Sequence, residues 1–254
     1  MLSIAHEGMA IPIFWTMLNK AGHSNFEERE NLLNLFINEF GVDCIQGVLG
    51  DREFASGKFF SWLNNMEIPF YIRIKDGSSV CIKSKKLTTA KKIFNSLSLK
   101  QKTEFQMKVW VFGAEVYLAG SRSERGELMV VATNRPPKNA IAVYLRRWEI
   151  ETLFQCLNNR GFRFESTHIT DLERLRKLTA VIAIGVAWAH KVGEYKASIK
   201  DIMFKQFDGQ KRPQYSYFRY GMDAIRETLL QFNHKIQRLN HLMSQLIPPG
   251  GLCA

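Results

Sequence analysis

The sequence lacks several features by which protein classes are recognised. Its four cysteines, Cys44, Cys81, Cys156 and Cys253, show no paired spacing. This argues against a disulfide or zinc framework and predicts reduced intracellular thiols. The longest apolar run, at about residues 178–189, is shorter than the roughly 20 residues that a membrane-spanning helix needs. The first residues carry no basic leader, so we expect a cytoplasmic protein without a membrane partner.

Motifs for nucleotide and metal binding are also missing. No Walker-type loop and no Gly-x-Gly-x-x-Gly motif occur, which argues against a nucleotide cofactor. The six histidines form no His-x3-His pair and have no cysteine partner at metal-binding spacing, so no zinc site is predicted. The chain has no internal repeats, and its 254 residues suffice for one large domain or two small ones.

Acidic residues are in the minority. The chain has 35 lysines and arginines against 24 aspartates and glutamates, which gives a net charge of +11. This excess suits a polyanionic partner, most simply nucleic acid. Many proteins are basic without binding DNA, so the charge supports this interpretation but does not establish it.

The first third of the chain predicts an α/β sheet. Apolar runs at residues 1–6 and 10–17 predict a hairpin. A helix is expected to begin at Ser24 or Asn25 and to end at Gly41, with a buried stripe that extends to Phe40. The elements expected next are a strand at 44–49, a helix at 56–65 and a strand at 69–74. Such alternation is typical of α/β proteins.

Asp51 directly follows the strand predicted at 44–49. Ligands of α/β proteins collect at the carboxyl ends of the strands, so Asp51 is a candidate site residue. The alternative is that its carboxylate only caps the turn between the strand and the next helix.

Residues 76–134 differ in composition, because lysines are dense and β-patterned runs alternate with turn residues. The lysines are Lys83, Lys85, Lys86, Lys91, Lys92, Lys100, Lys102 and Lys108. We interpret the segment as an inserted β-rich subdomain. Basic residues interleaved with Trp110 and Tyr117 can follow a DNA backbone. The alternative is a solvated lysine face on a small sheet with Trp110 in its core.

The segment 141–159 predicts one helix with two faces. Its apolar stripe comprises Val143, Ile150, Leu153, Phe154 and Leu157. On the other face are Tyr144, Arg147, Glu151 and Asn158, which a regular helix places within an arc of about 60°. Such a row can hold a phosphate and a metal ion side by side. The alternative is the solvated face of an ordinary amphipathic helix.

This row resembles the Tyr-x2-Arg-x3-Glu-x6-Lys motif of DDE-type transposases of the bacterial insertion sequence four family. Tyr144, Arg147 and Glu151 match the motif in type and spacing. Trp148 is the tryptophan that commonly follows the arginine in this group. Asn158 occupies the position of the family's lysine, and this departure removes a cation, so a weaker phosphate contact is expected there.

Two further stretches resemble the same family. GVLGDREF is similar to the surroundings of the family's second catalytic aspartate, here Asp51, and SYFRYGMDAIRETLL is similar to its C-terminal helix. The resemblance implies a ribonuclease H-like mixed sheet flanked by helices, with its first strand missing, an inserted β-rich subdomain and a helical C-terminus. The expected segments are 1–75 and 136–200 for the catalytic domain, 76–135 for the insert and 201–254 for the C-terminus.

The resemblance implies metal-dependent phosphoryl transfer on double-stranded DNA. Water cleaves at a transposon end, and the freed 3′-hydroxyl attacks target DNA. Two Mg²⁺ or Mn²⁺ ions, held by three carboxylates, stabilise the attacking and leaving oxygens. Asp51 and Glu151 are the implied catalytic metal ligands. The implied DNA contacts are Tyr144, Arg147, Trp148 and Asn158. Trp148 is either a base-stacking residue or a core residue.

The family's first catalytic aspartate has no counterpart in this sequence. It would lie on a strand upstream of the hairpin at residues 1–17. We therefore expect an N-terminally truncated transposase with an incomplete metal site and weak or no activity. One alternative is a non-catalytic DNA-binding or regulatory remnant. Another is a structural or RNA-binding α/β protein whose polar row is accidental. The family also implies a homodimer, because two DNA ends are paired.

Overall fold

The computed structural model describes residues 1–20, 22–82, 87–160, 162–207 and 210–247. Lys83, Lys85, Lys86 and Cys253, which entered the sequence interpretation, lie outside these ranges. The chain forms two compact units. We call residues 20–148 the sheet unit, and residues 1–19 together with 149–254 the helical unit.

The secondary structure follows the chain in this order. The strands are β1 (Leu2–His6), β2 (Met9–Phe14), β3 (Val48–Gly50), β4 (Phe70–Ile74), β5 (Ser79–Cys81), β6 (Leu87–Thr89), β7 (Lys102–Val111), β8 (Ala114–Arg122), β9 (Leu128–Thr133), β10 (Phe204–Phe207) and β11 (Gln210–Pro213). The helices are α1 (Phe26–Phe40), α2 (Gly57–Asn65), α3 (Ala90–Ile93), α4 (Ala140–Leu145), α5 (Glu149–Gln155), α6 (Leu172–Ile199), α7 (Tyr217–Leu230) and α8 (Phe232–Ser244).

The sheet unit is built on one seven-stranded mixed sheet. Its strand order is β3-β4-β9-β8-β7-β5-β6. Only β3 and β4 run parallel, and every other neighbouring pair is antiparallel. The predicted α/β sheet flanked by helices is confirmed. Strands from residues 79–133 share this sheet with β3 and β4. The ribonuclease H-like detail, the inserted subdomain and the four-segment division remain predictions.

The two faces of the sheet are covered by different helices. Phe70, Ile72 and Ile74 alternate along β4 and are buried. Their side is covered by α2, whose Phe60 ring stacks on Phe70 with the centroids 4.9 Å apart. On the other face, α4 packs against a cluster of buried residues on β8 and β9. Burying one such side chain contributes about 1.5–3 kcal/mol, so both helices are held firmly.

Helix α1 begins as predicted and is less buried than predicted. Asn25 accepts from the Glu28 N–H, and the Glu28 side chain accepts from the Asn25 N–H, which is a complete capping box. Gly41, at φ 82°, ends the helix. The expected burial of Phe40 is wrong, because its side chain is 48% exposed. Periodicity marks an apolar stripe but does not tell how much of it a neighbour covers.

The strand predicted at 44–49 is shorter in the structure. Residues Val42–Cys44 form a 3-10 turn, and only Val48–Gly50 pair with β4. The helix predicted at 56–65 and the strand at 69–74 are confirmed as α2 and β4. Pairing with β4 begins where the Val48 N–H donates to the Pro69 carbonyl, so the apolar residues before Val48 have no ladder partner among the residues described.

The single helix predicted for 141–159 is wrong. Helix α4 ends at Leu145, a 3-10 turn spans Arg146–Trp148, and α5 is followed by a π-helical turn at Cys156–Arg160. The boundary between the two units falls between Trp148 and Glu149. A constant rotation of about 100° per residue therefore does not apply across this segment.

The helical unit contains the predicted hairpin. Strands β1 and β2 pair antiparallel, as expected. Met9 and Ala10 of β2 are buried in a core shared with α5, α6, α7 and α8. The sulfur of Cys156 lies 3.8 Å from that of Met9. The core therefore ties the first strands to the second half of the chain.

Two predictions for the C-terminal helices need correction. The sequence predicts a long helix over 171–196, capped by Asp171 and buried on all sides because it is nearly apolar all round. The cap is confirmed in α6, but the burial is wrong, because Val181 is 67% exposed and Ile184 is 61% exposed. The sequence also predicts one last helix from about 216 to 246, whereas the structure has two helices, α7 and α8, which meet at Gln231. Long apolar composition cannot distinguish a buried helix from one with an open side.

Glycines bring α6 and α7 into backbone contact. A Cβ atom added to Gly193 would lie 1.8 Å from the carbonyl oxygen of Tyr217. One added to Gly221 would lie 1.8 Å from the carbonyl oxygen of Ala189. No side chain fits at either position.

Of the helices that the structure describes, none combines the length and the apolar character that a membrane span requires.

Candidate functional site

Asp51 lies where the sequence places it, directly after β3 at the carboxyl end of a parallel strand pair. Its Oδ1 accepts from the Arg52 N–H at 2.8 Å and caps the 3-10 turn Arg52–Phe54. The capping role is therefore present in the structure. A carboxylate has several lone pairs, so capping with one oxygen leaves capacity for a cation. The metal-binding role of Asp51 remains a prediction.

Tyr144 is buried, contrary to the predicted exposed polar row. Only 1% of its surface is accessible, and it packs with Ala119, Val131, Ala140 and Ile141. The break after α4 explains the difference, because the spacing argument assumed one regular helix. The 3-10 turn that follows α4 contacts β3, which brings this part of the chain to the strand that ends at Asp51.

Arg147 lies between two aromatic rings. The centre of its guanidinium is 5.8 Å from the Tyr144 ring centroid and 5.2 Å from the Trp148 ring centroid. Such stacking attracts a cation and holds its planar group in one orientation. Trp148 is 53% exposed, so its alternative assignment to the core is wrong. Base stacking by Trp148 remains a prediction.

The pKa of Tyr144 depends on its burial and on three charged side chains near it. Burial raises the pKa of the Tyr144 phenol, Arg147 lowers it, and the carboxylate of Asp51 raises it. Arg73 of β4 also lowers this pKa. Arg73 is a residue that the sequence interpretation missed. It alternates with the buried Phe70, Ile72 and Ile74 and so faces the other side of the sheet.

The raised pKa of Tyr144 has a consequence at high pH. Above its ordinary value of 10.0, an unfolded phenol loses its proton while the buried one keeps it. The unfolded state then binds fewer protons, so this contribution to stability is complete below about pH 10 and is lost as the pH rises through the folded pKa. We expect Tyr144→Phe to remove this alkaline loss. Denaturant unfolding between pH 8 and about pH 11 measures it.

The control for this measurement is Tyr215→Phe, at an exposed tyrosine. The difference in unfolding free energy between the wild type and Tyr144→Phe should be constant below about pH 9 and should change above it. A difference between wild type and Tyr144→Phe that stays constant up to about pH 11 would contradict a buried neutral phenol.

Glu151 and Asn158 belong to the helical unit. Glu151 is in the first turn of α5, and Asn158 is in the π-helical turn. Both side chains are half-buried and interact with neighbours. The sheet unit thus carries Asp51, Tyr144 and Arg147, whereas the helical unit carries the other two predicted residues. The joint action of Asp51 and Glu151 remains a prediction.

A basic surface covers part of the sheet unit. Lys91 and Lys92 are on α3, and Lys102 is at the start of β7, where all three are exposed. Trp110 is 49% exposed, so the alternative that places it in the core is wrong. The ammonium of Lys108 lies 5.7 Å from the Tyr117 ring centroid and 3.2 Å from Glu115. The sheet unit therefore carries exposed lysines, an exposed tryptophan and one lysine–tyrosine contact.

Comparison with known protein families identifies a related domain. A family model described as "Transposase DDE domain" matches residues 25–186, which is more than half of the chain. The matched span includes Asp51 and the whole 141–159 segment. A comparison with curated proteins gives no match.

Proposed function

The chain belongs to the transposase DDE domain family, and from this membership we propose a transposase of the insertion sequence four type. Its proposed chemistry is metal-dependent cleavage and transfer of DNA strands. The observation that supports the proposal is the position of Asp51 at the carboxyl end of β3. Asp51 and Arg147 both lie close enough to Tyr144 for their charges to shift its pKa. The family match excludes an unrelated structural or RNA-binding protein.

Asp51 and Glu151 are the proposed ligands of Mg²⁺ or Mn²⁺. Their carboxylates are the hard oxygen ligands that these ions prefer. When bound, a pair of ions would stabilise the attacking and leaving oxygens of the phosphoryl group. The support for Glu151 is its match to the glutamate of the family motif, four residues after Arg147.

Arg147 is the proposed contact to a DNA phosphate. A guanidinium forms two parallel hydrogen bonds with phosphate oxygens, and stacking between Tyr144 and Trp148 orients it for this purpose. Tyr144 is buried, so we propose that it positions Arg147 while Trp148 stacks on an unpaired base. Asn158 would add an uncharged hydrogen bond. Arg73 adds a second positive charge near Asp51.

The proposed activity of this chain by itself is weak or absent. The family's two-metal site uses three carboxylates, and the sequence supplies candidates for two, Asp51 and Glu151. Two carboxylates hold a pair of divalent ions poorly, because each ion keeps fewer protein ligands. A non-catalytic DNA-binding or regulatory role is the alternative. The proposed partners are transposon-end and target DNA and a second copy of the chain, in the cytoplasm.

The experiment that tests this proposal is a cleavage assay with the DNA that flanks the coding sequence of the chain. Purified protein is incubated with labelled duplex and Mg²⁺ or Mn²⁺. We expect DNA binding but no cleavage above that of Asp51→Ala. The control is Asp43→Asn, at an exposed carboxylate before β3. Efficient cleavage at one phosphate that Asp51→Ala abolishes would contradict the weak activity and support the transposase. Absence of DNA binding would contradict the proposed function itself.

A further inference from the structure

Three potential metal ligands converge in the helical unit, away from the proposed DNA site residues in sequence. His6 is on β1, and His190 and Glu194 are one turn apart on α6. The Nε2 atoms of His6 and His190 lie 2.6 Å and 3.3 Å from the same oxygen, Oε1 of Glu194. One ligand atom from each residue falls within 4.8 Å of the others. We call these three residues the His–His–Glu cluster.

The burial of His190 requires an explanation. Its side chain is 2% exposed, and neither ring nitrogen forms a hydrogen bond with any residue that the structure describes. The Nε2 atom is 3.3 Å from Glu194, but the contact does not have hydrogen-bond geometry. A buried polar group without a hydrogen bond costs about 1–3 kcal/mol. An imidazole nitrogen that lies beside a carboxylate oxygen and a second imidazole is well placed to coordinate a cation.

One oxygen of the Glu194 carboxylate lies next to both His6 and His190. Lys191 donates to Oε2 of Glu194 at 2.9 Å and holds that side of the carboxylate. Oε1 is the oxygen that both imidazoles approach. The ring of Tyr217 packs edge-on against His190, with the centroids 5.7 Å apart. The His6 side chain is 43% exposed, which leaves a path from solvent for an ion and a water ligand.

We propose that His6, His190 and Glu194 bind a divalent transition-metal ion, with Zn²⁺ as the best fit. Two imidazoles and one carboxylate are typical zinc ligands, whereas Mg²⁺ prefers oxygen ligands alone. A water molecule completes the four-coordinate set. His6, His190 and Glu194 all lie outside residues 25–186, the span that matches the transposase family. The family match therefore assigns no role to these three residues.

The distances between the ligand atoms would fit a zinc ion after a small movement of the His6 side chain. Tetrahedral ligands at about 2.0–2.1 Å from zinc are separated from each other by roughly 3.3 Å. His190 and Glu194 already have this separation, at 3.3 Å. His6 and Glu194 are 2.6 Å apart and form a hydrogen bond. They must separate by about 0.7 Å to admit zinc, and the half-exposed His6 side chain has room to move.

The proposed role of the ion is to fasten the N-terminal hairpin to α6. His6 and Glu194 are 188 residues apart in sequence, so one ion would close a long loop. An ion that binds only the folded chain stabilises it in proportion to its affinity and concentration. The expected effect is a thermal midpoint that rises with Zn²⁺ concentration.

The test uses the full chain after treatment with a chelator. Calorimetric titration with ZnCl₂ should give one tight site, and Co²⁺ should give the d–d absorption of a tetrahedral site with nitrogen ligands. His6→Gln and Glu194→Gln should each reduce the affinity at least about tenfold and abolish the rise in thermal midpoint. His23→Gln, at a 77% exposed histidine of the sheet unit, is the matched control and should bind like the wild type.

Three results would overturn the proposal. The first is equal Zn²⁺ affinity for the wild type, His6→Gln and Glu194→Gln. The second is a wild-type Co²⁺ spectrum without tetrahedral bands, and this measurement does not depend on how well any variant folds. The third concerns a variant of the sheet unit. Asp51→Ala should leave Zn²⁺ binding unchanged, because Asp51 belongs to the sheet unit. Loss of zinc binding in Asp51→Ala would also count against the His–His–Glu cluster as the site.

Discussion

Replacing Gly193 with alanine is expected to lower the free energy of unfolding by about 3 kcal/mol or more. The added methyl group would lie 1.8 Å from the carbonyl oxygen of Tyr217 and 2.5 Å from its carbonyl carbon. Both are backbone atoms of α7, so no side-chain rotation relieves the overlap. Helices α6 and α7 would have to separate, and the core that they share would loosen.

An opposing effect is smaller. Alanine in the middle of a helix is favoured over glycine by about 1 kcal/mol, because glycine loses more backbone freedom on folding. At Gly193 the steric cost exceeds this gain. The same holds for Gly221→Ala, whose methyl group would lie 1.8 Å from the Ala189 carbonyl oxygen and 2.6 Å from the Gly193 nitrogen. Gly193→Ala disrupts the contact between α6 and α7 from α6, and Gly221→Ala disrupts the same contact from α7.

A matched control is present on the same helix. A methyl group on Gly185 would lie 3.2 Å from the ring of Phe162, which is a side chain that can shift. Gly185→Ala should therefore change the stability by no more than about 1 kcal/mol. Denaturant titration of the three variants measures the difference. If Gly193→Ala and Gly185→Ala prove equally stable, the close contact between α6 and α7 is wrong.

Arg147→Ala is expected to weaken binding to duplex DNA by about 10- to 100-fold. This range corresponds to the loss of one charge-assisted, bidentate phosphate contact, at about 1.5–3 kcal/mol. Arg147 lies within cation–π distance of the Tyr144 and Trp148 rings, so its side chain loses little rotational freedom when it binds. The affinity is measured by fluorescence anisotropy with labelled flanking DNA over a series of salt concentrations.

Two variants separate geometry from charge. Arg146→Ala removes the same charge from an exposed neighbour and should have a much smaller effect. Arg147→Lys keeps the charge but loses the planar fork, so an intermediate affinity is expected. Loss of one phosphate contact should also reduce the salt slope by about 1. Equal affinities for Arg147→Ala and Arg146→Ala would show that general charge, and not this arginine, holds the DNA.

Local features of the fold could be predicted from the sequence. The caps Asn25 and Asp171 were expected from their residue type, because their side chains satisfy N–H groups of their own helix. The hairpin at the N-terminus and the position of Asp51 after β3 depend equally on nearby residues. Each of these predictions needs only a few neighbouring positions.

Other features depend on contacts that spacing does not encode. Tyr144 is buried because α4 packs on the sheet and because the helix breaks at residue 146, and no periodicity reveals that break. Arg73 joins the site because β4 pairs with β3. The His–His–Glu cluster was missed because His6 meets α6 only in the folded unit. Its one local sign was the His190–Glu194 spacing, which places both side chains on the same side of a helix.

Strand β3 lies at one end of the seven-stranded sheet, so within the described residues only its β4 side has a ladder partner. Asp51 is therefore connected to the sheet through a single ladder. A substitution in β4 that weakens this ladder would also displace the carboxylate at its end, although the substituted residue lies in a different strand.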